Sequence, residues 1–368
     1  MHKPVFRKKK FRFPVNTLIG SSYSNFITIT SKYRIDKKYH RKYYFTKWVC
    51  RILDLFASIE EKKQKEVLEN FKLEHPPIFI IGFWRSGTTL LHNLLCKNPL
   101  FGYVTTFQSV FPHHVLWNQK WLKPLMTPLL PETRPGDNMA FDFDYPQEEE
   151  IAVGNRQPLS FYNFFYFPDD TDKIINESLL FKNVTEDKLD KWKQEYLKLI
   201  KMALVNTKGK CFVSKNPSNT FRIKTLLEMF PDARFIYLHR NRYDTLTSFR
   251  KFVHEVDAGI TLQDYDHDHL DREMIRLYKL LHEKYEKDKS LIPEGRLAEV
   301  GFQVFEGNKL KEIERIYNEL GLKGFREALP AMEKYLETIR GYERSNHKNN
   351  VAFRKIIDEE LRDFKRKD

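Results

Sequence analysis

The sequence predicts an α/β fold in which a parallel β-sheet lies between two layers of helices, a three-layer sandwich. Short uninterrupted apolar runs, which are typical of buried parallel strands, recur along the chain, and amphipathic helical segments alternate with them. The chain can bury a large core, because 41% of its 368 residues are hydrophobic and thirty are Phe. Sheets of this kind bind ligands at the carboxyl ends of their strands.

The first strand–helix unit follows a helical stretch over residues 46–72, which ends before His75-Pro76-Pro77. The apolar run at 78–81 predicts a buried strand, and the leucines between 90 and 95 predict the helix after it. Further strands are predicted over residues 211–213, 234–239 and 297–304, and helices over 222–230, 241–252 and 308–320. Because strands and helices alternate in this way, we expect all strands of the core to be parallel.

The composition divides the chain into three parts. We expect residues 1–74 to form a basic, aromatic and partly helical extension, residues 75–322 the α/β core, and residues 323–368 a helical C-terminal extension. Within the core, residues 101–168 are rich in proline and aromatic residues, and insertions of this kind often build substrate pockets. The aromatic residues of this insertion include Trp117, Trp121, Phe161, Tyr162, Phe164, Phe165, Tyr166 and Phe167.

The net charge of +13 is concentrated at the start of the chain. Residues 1–50 contain thirteen Lys and Arg, four of them in Arg7-Lys8-Lys9-Lys10, but a single acid, Asp36. A basic segment interleaved with aromatic rings can attract an anionic lipid surface. The alternative is a solvated basic face whose rings pack on the core. We therefore expect peripheral membrane contact through residues 1–50 or a purely structural segment, and no nucleic-acid partner.

Cysteine content and hydropathy favour a cytoplasmic protein. The three cysteines, Cys50, Cys96 and Cys211, include no CxxC pair and are too few for a disulfide framework or a thiolate zinc site. The basic N-terminus is not followed by the apolar segment of a signal peptide. No apolar stretch approaches the roughly 18 residues of a membrane-spanning helix.

The loop after the first strand predicts a phosphate site. In Gly-Phe-Trp-Arg-Ser-Gly-Thr-Thr, residues 82–89, the two glycines have the spacing of a Walker A loop, but Thr88 stands in place of its lysine. Arg85 supplies a cation inside the loop, and N–H groups from Ser86 to Thr89 would face an anion at the positive end of the helix. Because no convincing strand ends in a Walker B aspartate, we expect this P-loop-like site to bind no metal.

Two separate stretches carry a family resemblance. Residues 85–90, Arg-Ser-Gly-Thr-Thr-Leu, resemble the 5′-phosphosulfate loop of the superfamily of sulfotransferases that use 3′-phosphoadenosine-5′-phosphosulfate (PAPS). The Arg form of the loop is more similar to that of the tyrosylprotein and bacterial branches than to the Lys form of the cytosolic branch. Residues 234–249 resemble the 3′-phosphate motif of the same family, in which a strand ends in Arg and a Ser follows eight residues later, as Arg240 and Ser248 do. The resemblance spans roughly residues 76–322.

The resemblance implies transfer of a sulfuryl group from PAPS to an acceptor hydroxyl, leaving the desulfated product PAP. The donor-binding residues that it implies are Arg85, Ser86, Gly87, Thr88, Thr89, Arg240 and Ser248. Arg240 would grip a phosphate through two N–H groups, and Ser248 would add a hydroxyl donor. The family also places a catalytic Lys just after the second strand, where Lys215 stands, although a lysine there can also be a surface residue.

The general bases that are usual in the family are missing from this chain. The cytosolic branch has a His where this chain has Pro217, and the tyrosylprotein and bacterial branches have a Glu near the position of Gln108. Residues 145–150, Tyr-Pro-Gln-Glu-Glu-Glu, resemble an acidic stretch of the bacterial branch. Glu148 and Glu149 are therefore the first candidates for the base, although acids after a proline also serve to begin helices.

His113 and His114 are the rival bases, since the unperturbed pKa of imidazole suits proton transfer near neutral pH.

Two further elements of the family lack clear counterparts. Leu90 stands where the cytosolic branch stacks an aromatic residue on adenine. Counterparts of the family's C-terminal Arg-Lys-Gly element are weak, and the nearest are Arg344, His347 and Lys348.

The aromatic insertion favours an apolar hydroxyl acceptor such as a sterol, a steroid or another lipid. A carbohydrate or a phenol is an alternative, since both also stack on aromatic rings.

Two other classes of function stay open. A P-loop kinase would require ATP and Mg²⁺, against which Thr88 argues, and a non-catalytic protein would bind a nucleotide or an anionic lipid without chemistry.

Overall fold

A parallel sheet of five strands forms the centre of the molecule. The computed structural model describes residues 16–129, 142–340 and 351–364. The strands are β1 (Ile78–Gly82), β2 (Phe101–Gly102), β3 (Cys211–Lys215), β4 (Arg234–His239) and β5 (Leu297–Gly301). Their order across the sheet is β2-β3-β1-β4-β5, and every neighbouring pair is parallel. The predicted α/β class is therefore confirmed.

Helices flank the sheet on both faces and extend it at both ends of the chain. They are α1 (Tyr23–Thr30), α2 (His40–Asn70), α3 (Thr88–Leu95), α4 (Thr106–Val110), α5 (Gln119–Met126), α6 (Glu150–Arg156), α7 (Asn163–Tyr166), α8 (Thr171–Ile174), α9 (Glu186–Thr207), α10 (Ile223–Met229), α11 (Arg242–Ile260), α12 (His267–Asp288), α13 (Phe302–Gly307), α14 (Lys309–Glu319), α15 (Phe325–Thr338) and α16 (Val351–Glu360). None of the helices in the described ranges is long and apolar enough to cross a bilayer.

The central strand β1 is buried on both faces, as its apolar run predicts. Ile78 and Ile80 lie in one core, which α3, α14 and α15 cover. Phe79 and Ile81 lie in the opposite core, against α9 and α10. This alternation is the two-residue period of a strand, and it produces the three layers of the sandwich. Because the strands are parallel, β1, β3 and β4 end at the same edge of the sheet.

Several predicted boundaries differ from the structure, and β3 for example runs to Lys215 rather than to residue 213. The strand expected over 297–304 ends at Gly301, and its last residues begin α13 instead. The helix expected over 241–252 continues to Ile260, and the first long helix begins at His40 rather than at residue 46. The short strand β2 was not predicted, because two residues carry no periodicity. The long helices α9 and α12 were also missed, since their charged residues mask a narrower apolar stripe.

The aromatic run of the insertion forms part of the core. Phe161, Phe164, Phe165 and Phe167 are at most 1% exposed. They share one cluster with side chains from the start of the described chain, which are Leu18, Phe26, Ile29 and Tyr33. The rings of Phe26 and Tyr33 thus pack on the core, as do the side chains of Leu18 and Ile29. The basic run at residues 7–10 and the candidates Arg344, His347 and Lys348 lie outside the described residues.

Candidate active site

The loop between β1 and α3 depends on two glycines with positive φ. Gly82 has φ +135°, and a Cβ there would lie 2.2 Å from the carbonyl oxygen of Leu238 in β4. Gly87 has φ +100°, and a Cβ there would lie 2.5 Å from the ring of Phe302. Side chains larger than hydrogen would therefore displace the loop from the sheet edge. Arg85 is itself left-handed, with φ 69°, so the turn is tight on both sides of Ser86.

Gly87 is the N-cap of α3, and it offers no side-chain oxygen to the amides of the first turn. A phosphate at this position therefore meets no competing capping group. Ser86 differs from the sequence-based expectation, because its N–H and its hydroxyl both donate to the carbonyl oxygen of Phe83, at 3.3 and 2.8 Å. Its side chain is buried and stabilises the loop from inside. Thr88 is also buried, at the start of the helix.

The structure brings the two predicted phosphate motifs together. The Arg85 Nε donates to the hydroxyl of Ser248 at 3.0 Å, although the two residues are 163 positions apart. The Arg240 guanidinium reaches the carbonyl oxygen of Arg85 at 3.4 Å. Two aromatic rings support the two guanidinium groups, that of Phe252 beside Arg85 and that of Phe302 beside Arg240. Two cations and a hydroxyl thus converge at the carboxyl edge of β1 and β4, which suits a ligand with several phosphates.

Lys215 ends β3 at the same edge and forms an ion pair with Glu148. Its Nζ lies 3.0 Å from Glu148 Oε2, and the lysine is only 4% exposed. The other carboxylate oxygen of Glu148 accepts a hydrogen bond from the indole Nε1 of Trp84 at 3.3 Å. Trp84 belongs to the glycine loop, so Glu148 is held between the loop and the end of β3. This carboxylate lies beside both the predicted catalytic lysine and the phosphate loop.

A short antiparallel contact delivers Glu148 to this edge. Thr105 pairs with Pro146 after β2, and the flanking N–H groups of Thr106 and Gln147 donate to carbonyl oxygens across the pair at 2.9 Å. The turn that carries the acids is therefore fixed to the sheet through β2. The next residues begin α6, so the expectation of acids at a helix start is also met, with Glu150 in the first turn.

The three consecutive glutamates point to three different places. Glu149 is 1% exposed and lies on the other side of β3, where its carboxylate accepts from Tyr196 at 2.8 Å, from Asn219 at 3.1 Å and from Ser214. Burial raises the pKa of this carboxyl group, although the hydrogen bonds from Ser214 and Tyr196 oppose the shift. Glu149 does not reach the edge that holds Lys215 and the loop. Of the two predicted glutamates, only Glu148 lies beside the other candidate groups.

Glu150 is structural. It forms a bidentate pair with Arg222, with N–O distances of 2.7 and 2.9 Å, and both side chains are buried. It also accepts from Asn216 at 2.7 Å and from the N–H of Phe161 at 2.8 Å. Burial alone would raise its pKa, but the Arg222 guanidinium and these donors lower it. This network ties α6 to the turn after β3.

The residues of this edge lie within a segment that matches the sulfotransferase family over residues 76–327. The chain belongs to the sulfotransferase family. It is 31% identical over 287 residues to the omega-hydroxy-beta-dihydromenaquinone-9 sulfotransferases of Mycobacterium bovis and Mycobacterium tuberculosis, covering 77% of this chain and 72% of theirs. The family membership makes the chain a sulfotransferase enzyme and confirms the predicted resemblance.

Solved sulfotransferase structures share the fold. STF9 from Mycobacterium avium superposes with a TM-score of 0.66 and 16% identity, covering 95% of this chain and 97% of STF9. STF1 from Mycobacterium tuberculosis superposes with a TM-score of 0.67 and 16% identity, covering 93% of each chain. The likeness extends beyond the family segment into both ends of the chain, and it confirms the P-loop-like three-layer sandwich.

The rival bases of this sulfotransferase have other partners. His113 lies 3.2 Å from the carbonyl oxygen of Asn155 in α6 and 3.8 Å from the carboxylate of Glu61 in α2. His114 is 1% exposed, and its Nδ1 lies 3.0 Å from the side-chain amide of Asn118. Burial lowers the pKa of His114 to about 3. His113 thus links α2 to α6, and His114 is bonded to the residue that precedes α5.

Two features of the site were not predicted from the sequence. Trp84 was not singled out, although its place inside the glycine loop is a signal that its ring lies at the sheet edge. The rings beside Arg85 and Arg240 come from positions four residues after Ser248 and just after β5, which no local motif marks. Gln108 is fully buried, with its amide 3.4 Å from the carbonyl oxygen of Leu199, so it does not replace the missing Glu.

Proposed function

We propose that this sulfotransferase moves a sulfuryl group from PAPS to the hydroxyl of an apolar, lipid-like acceptor, with Glu148 as the general base. The observation that carries the proposal is the contact of Glu148 with Lys215 and Trp84 at the edge where Arg85, Arg240 and Ser248 converge. A base, a cation and a phosphate site within one edge are the parts that sulfuryl transfer requires.

The residues fit the donor nucleotide. The glycine loop lies close against the sheet edge because Gly82 and Gly87 lack a Cβ, and Gly87 leaves the helix start without a side-chain cap. We assign the 5′-phosphate side to Arg85 and the loop, and the 3′-phosphate to Arg240 and Ser248. PAPS supplies the activated sulfuryl group, and the protein supplies position and charge. Arg85 and Arg240 would neutralise the phosphates without a metal ion.

Glu148 is suited to accept the proton of the acceptor hydroxyl. One oxygen accepts from Trp84 and the other from Lys215, so each keeps a further lone pair for an incoming hydroxyl. Because each carboxylate oxygen has its own donor, the group is held in one orientation. Lys215 then has two tasks: it fixes the carboxylate, and it places a positive charge beside the oxygen from which the sulfuryl group departs.

The acceptor class rests on the relatives. Two mycobacterial sulfotransferases that are 31% identical to this chain act on an omega-hydroxy-beta-dihydromenaquinone, a lipid-like quinone with a hydroxyl group. A small apolar hydroxyl acceptor therefore ranks above the carbohydrate and phenol alternatives. We also propose a cytoplasmic enzyme that contacts the membrane peripherally, as the basic segment of residues 1–50 favours.

Calorimetric titration with PAP, and separately with ATP and Mg²⁺, tests the donor assignment. We expect tight binding of PAP and weak binding of ATP, whereas the reverse result would favour a P-loop kinase. Arg85→Ala should abolish PAP binding, because the guanidinium links the loop to Ser248. Arg272→Ala is the matched control, since Arg272 pairs with Glu360 on the surface of α12. If Arg85→Ala binds PAP as the wild type does, the loop assignment is wrong.

A further inference from the structure

A row of large apolar side chains is exposed on helix α2. Leu55, Ile59 and Trp48 are 69%, 61% and 62% exposed, values far above those of core residues. Tyr44 is 60% exposed at the start of the same row. The spacings between these four positions are four, seven and four residues, so all four lie on one face of the helix. Nothing in the described part of the chain covers this face.

Helix α5 adds a second exposed strip beside the first. Trp121 and Leu125 are one turn apart on α5, and both are exposed. The ring of Trp121 lies 5.2 Å from that of Phe56 in α2, and Asn118 donates to the carbonyl oxygen of Phe56 at 3.1 Å. The two helices therefore present one continuous surface, which we call the α2–α5 face. Its exposed apolar side chains are Tyr44, Trp48, Leu55, Phe56, Ile59, Trp117, Trp121 and Leu125.

The charge of the α2–α5 face is positive. Arg41, Arg51 and Lys62 each lie seven residues from a member of the apolar row, so they share its side of the helix, and all three are exposed. Between residues 40 and 59 the only acid is Asp54, which is half-buried. Beyond them Glu66, seven residues after Ile59, is exposed on the same side of the helix, so the three cations face one exposed acid. Glu60 is turned inward, where its carboxylate accepts from backbone N–H groups of Leu116 and Asn118 at 2.6 and 2.8 Å.

We propose that the α2–α5 face binds the surface of an anionic phospholipid bilayer. Aliphatic side chains would enter the acyl boundary, and Trp and Tyr would lie at the level of the headgroups, where such rings are enriched. Lys and Arg around them would pair with anionic headgroups, which is the charge complementarity that selects a lipid surface over a second copy of this basic face. A patch of eight exposed apolar side chains on two neighbouring helices indicates an interaction site rather than ordinary surface.

The helices that form the proposed surface pack against the segment that carries the candidate base. Beneath it, one apolar cluster joins Leu53 of α2, Leu122 of α5 and Phe107 of α4 to Phe143, five residues before Glu148. Lys123 of α5 also pairs with Asp144 in the same segment. A bilayer on this face would therefore contact helices that pack directly against the segment that carries Glu148. Binding to the bilayer stands on the surface alone, whereas its purpose, access to an acceptor dissolved in the membrane, rests on the proposed function.

Flotation of the full chain with vesicles tests the proposal. Vesicles of equal parts phosphatidylcholine and phosphatidylglycerol should carry the protein upward, more than vesicles of phosphatidylcholine alone, and high salt should weaken the binding. Leu55→Ser combined with Ile59→Ser should lower the partition coefficient at least about tenfold, because two exposed aliphatic side chains are lost. Leu291→Ser combined with Val351→Ser is the matched control, since these exposed aliphatic residues lie elsewhere on the fold.

Arg41→Glu combined with Lys62→Glu should weaken binding to the anionic vesicles only. Lys311→Glu combined with Arg326→Glu, exposed cations of α14 and α15, is the charge-matched control. Wild-type protein that does not float with anionic vesicles overturns the proposal. So does an equal loss in the control variants, or a dimer in light scattering that Leu55→Ser and Ile59→Ser dissociate. Because no donor or acceptor is present, this result is independent of PAP binding, whose failure would refute the proposed function instead.

Discussion

Replacing Glu148 by Gln tests the proposed base with the smallest change in shape. The amide oxygen of Gln can still accept from Trp84, but it cannot take the acceptor's proton. General-base catalysis by a positioned side chain contributes about 10²–10⁴-fold. This corresponds to about 2.7–5.4 kcal/mol in the activation free energy. We therefore expect kcat to fall by that factor in Glu148→Gln.

The same substitution has a structural cost that must be separated from the chemical one. The Gln amide would bring a second donor towards the Lys215 Nζ, which lies 3.0 Å from the present carboxylate oxygen. Lys215 is almost fully buried, so losing its partner should cost about 1–3 kcal/mol of unfolding free energy. Urea denaturation measures this cost, and calorimetry with PAP shows whether the donor site is intact.

Glu149→Gln is the matched control, one residue away in the chain. Its carboxylate accepts from Tyr196, Ser214 and Asn219, so an amide there would meet donors and destabilise the fold by about 1–3 kcal/mol. Turnover per folded molecule should stay within severalfold of the wild type, measured with labelled PAPS and an apolar alcohol. The reasoning is refuted if Glu148→Gln keeps wild-type turnover while Glu149→Gln loses it.

Three further predictions concern stability. Gly82→Ala should prevent folding, because its Cβ would lie 2.2 Å from a carbonyl oxygen of β4, whereas Gly307→Ala should be tolerated, since nothing lies within 4 Å. Arg222→Met should lower the unfolding free energy by about 3–5 kcal/mol, because it leaves the buried carboxylate of Glu150 unpaired. The pKa of His114 is lowered from 6.5 to about 3, so below pH 6.5 the unfolded chain binds a proton that the folded chain does not. Unfolding free energy should then fall by about 1.4 kcal/mol per pH unit towards pH 3 at this site, and His114→Gln should remove that contribution.

Each of these predictions has a clear contrary outcome. Soluble Gly82→Ala protein with wild-type PAP affinity would show that the loop can move away from β4. An Arg222→Met variant as stable as the wild type in urea would mean that Glu150 is neutral in the folded chain. Parallel pH profiles of unfolding for the wild type and His114→Gln would mean that the histidine is protonated or solvated in the fold.

The sequence predicted the parts of the site that are encoded locally. The apolar run of β1, the glycine spacing of its loop and the interval between Arg240 and Ser248 each reflect one strand–helix connection. Because parallel strands end at one edge, these motifs could be expected to meet, and the Arg85–Ser248 hydrogen bond shows that they do.

The choice among the three glutamates could not be made from the sequence. Glu148 meets a lysine 67 residues away, Glu149 a serine 65 residues away, and Glu150 an arginine 72 residues away. These partners depend on the contact between Thr105 and Pro146 and on which face of β3 each side chain approaches. A shift of one residue in that contact would exchange the roles, and no local pattern determines it.

The divergence of these glutamates affects how mutational scans of the enzyme should be interpreted. A scan scored by total cellular activity would give the same low value at all three positions, since a lost base and an unfolded chain both end turnover. Turnover per folded molecule separates them: Glu148 variants should lose turnover beyond any loss of abundance, whereas Glu149 and Glu150 variants should lose abundance through proteolysis and keep the turnover of each folded molecule. The different roles of the three glutamates also constrain evolution at these positions, because buried Glu149 and Glu150 fix the position of Glu148. New acceptor specificities should therefore arise by substitutions outside this tripeptide.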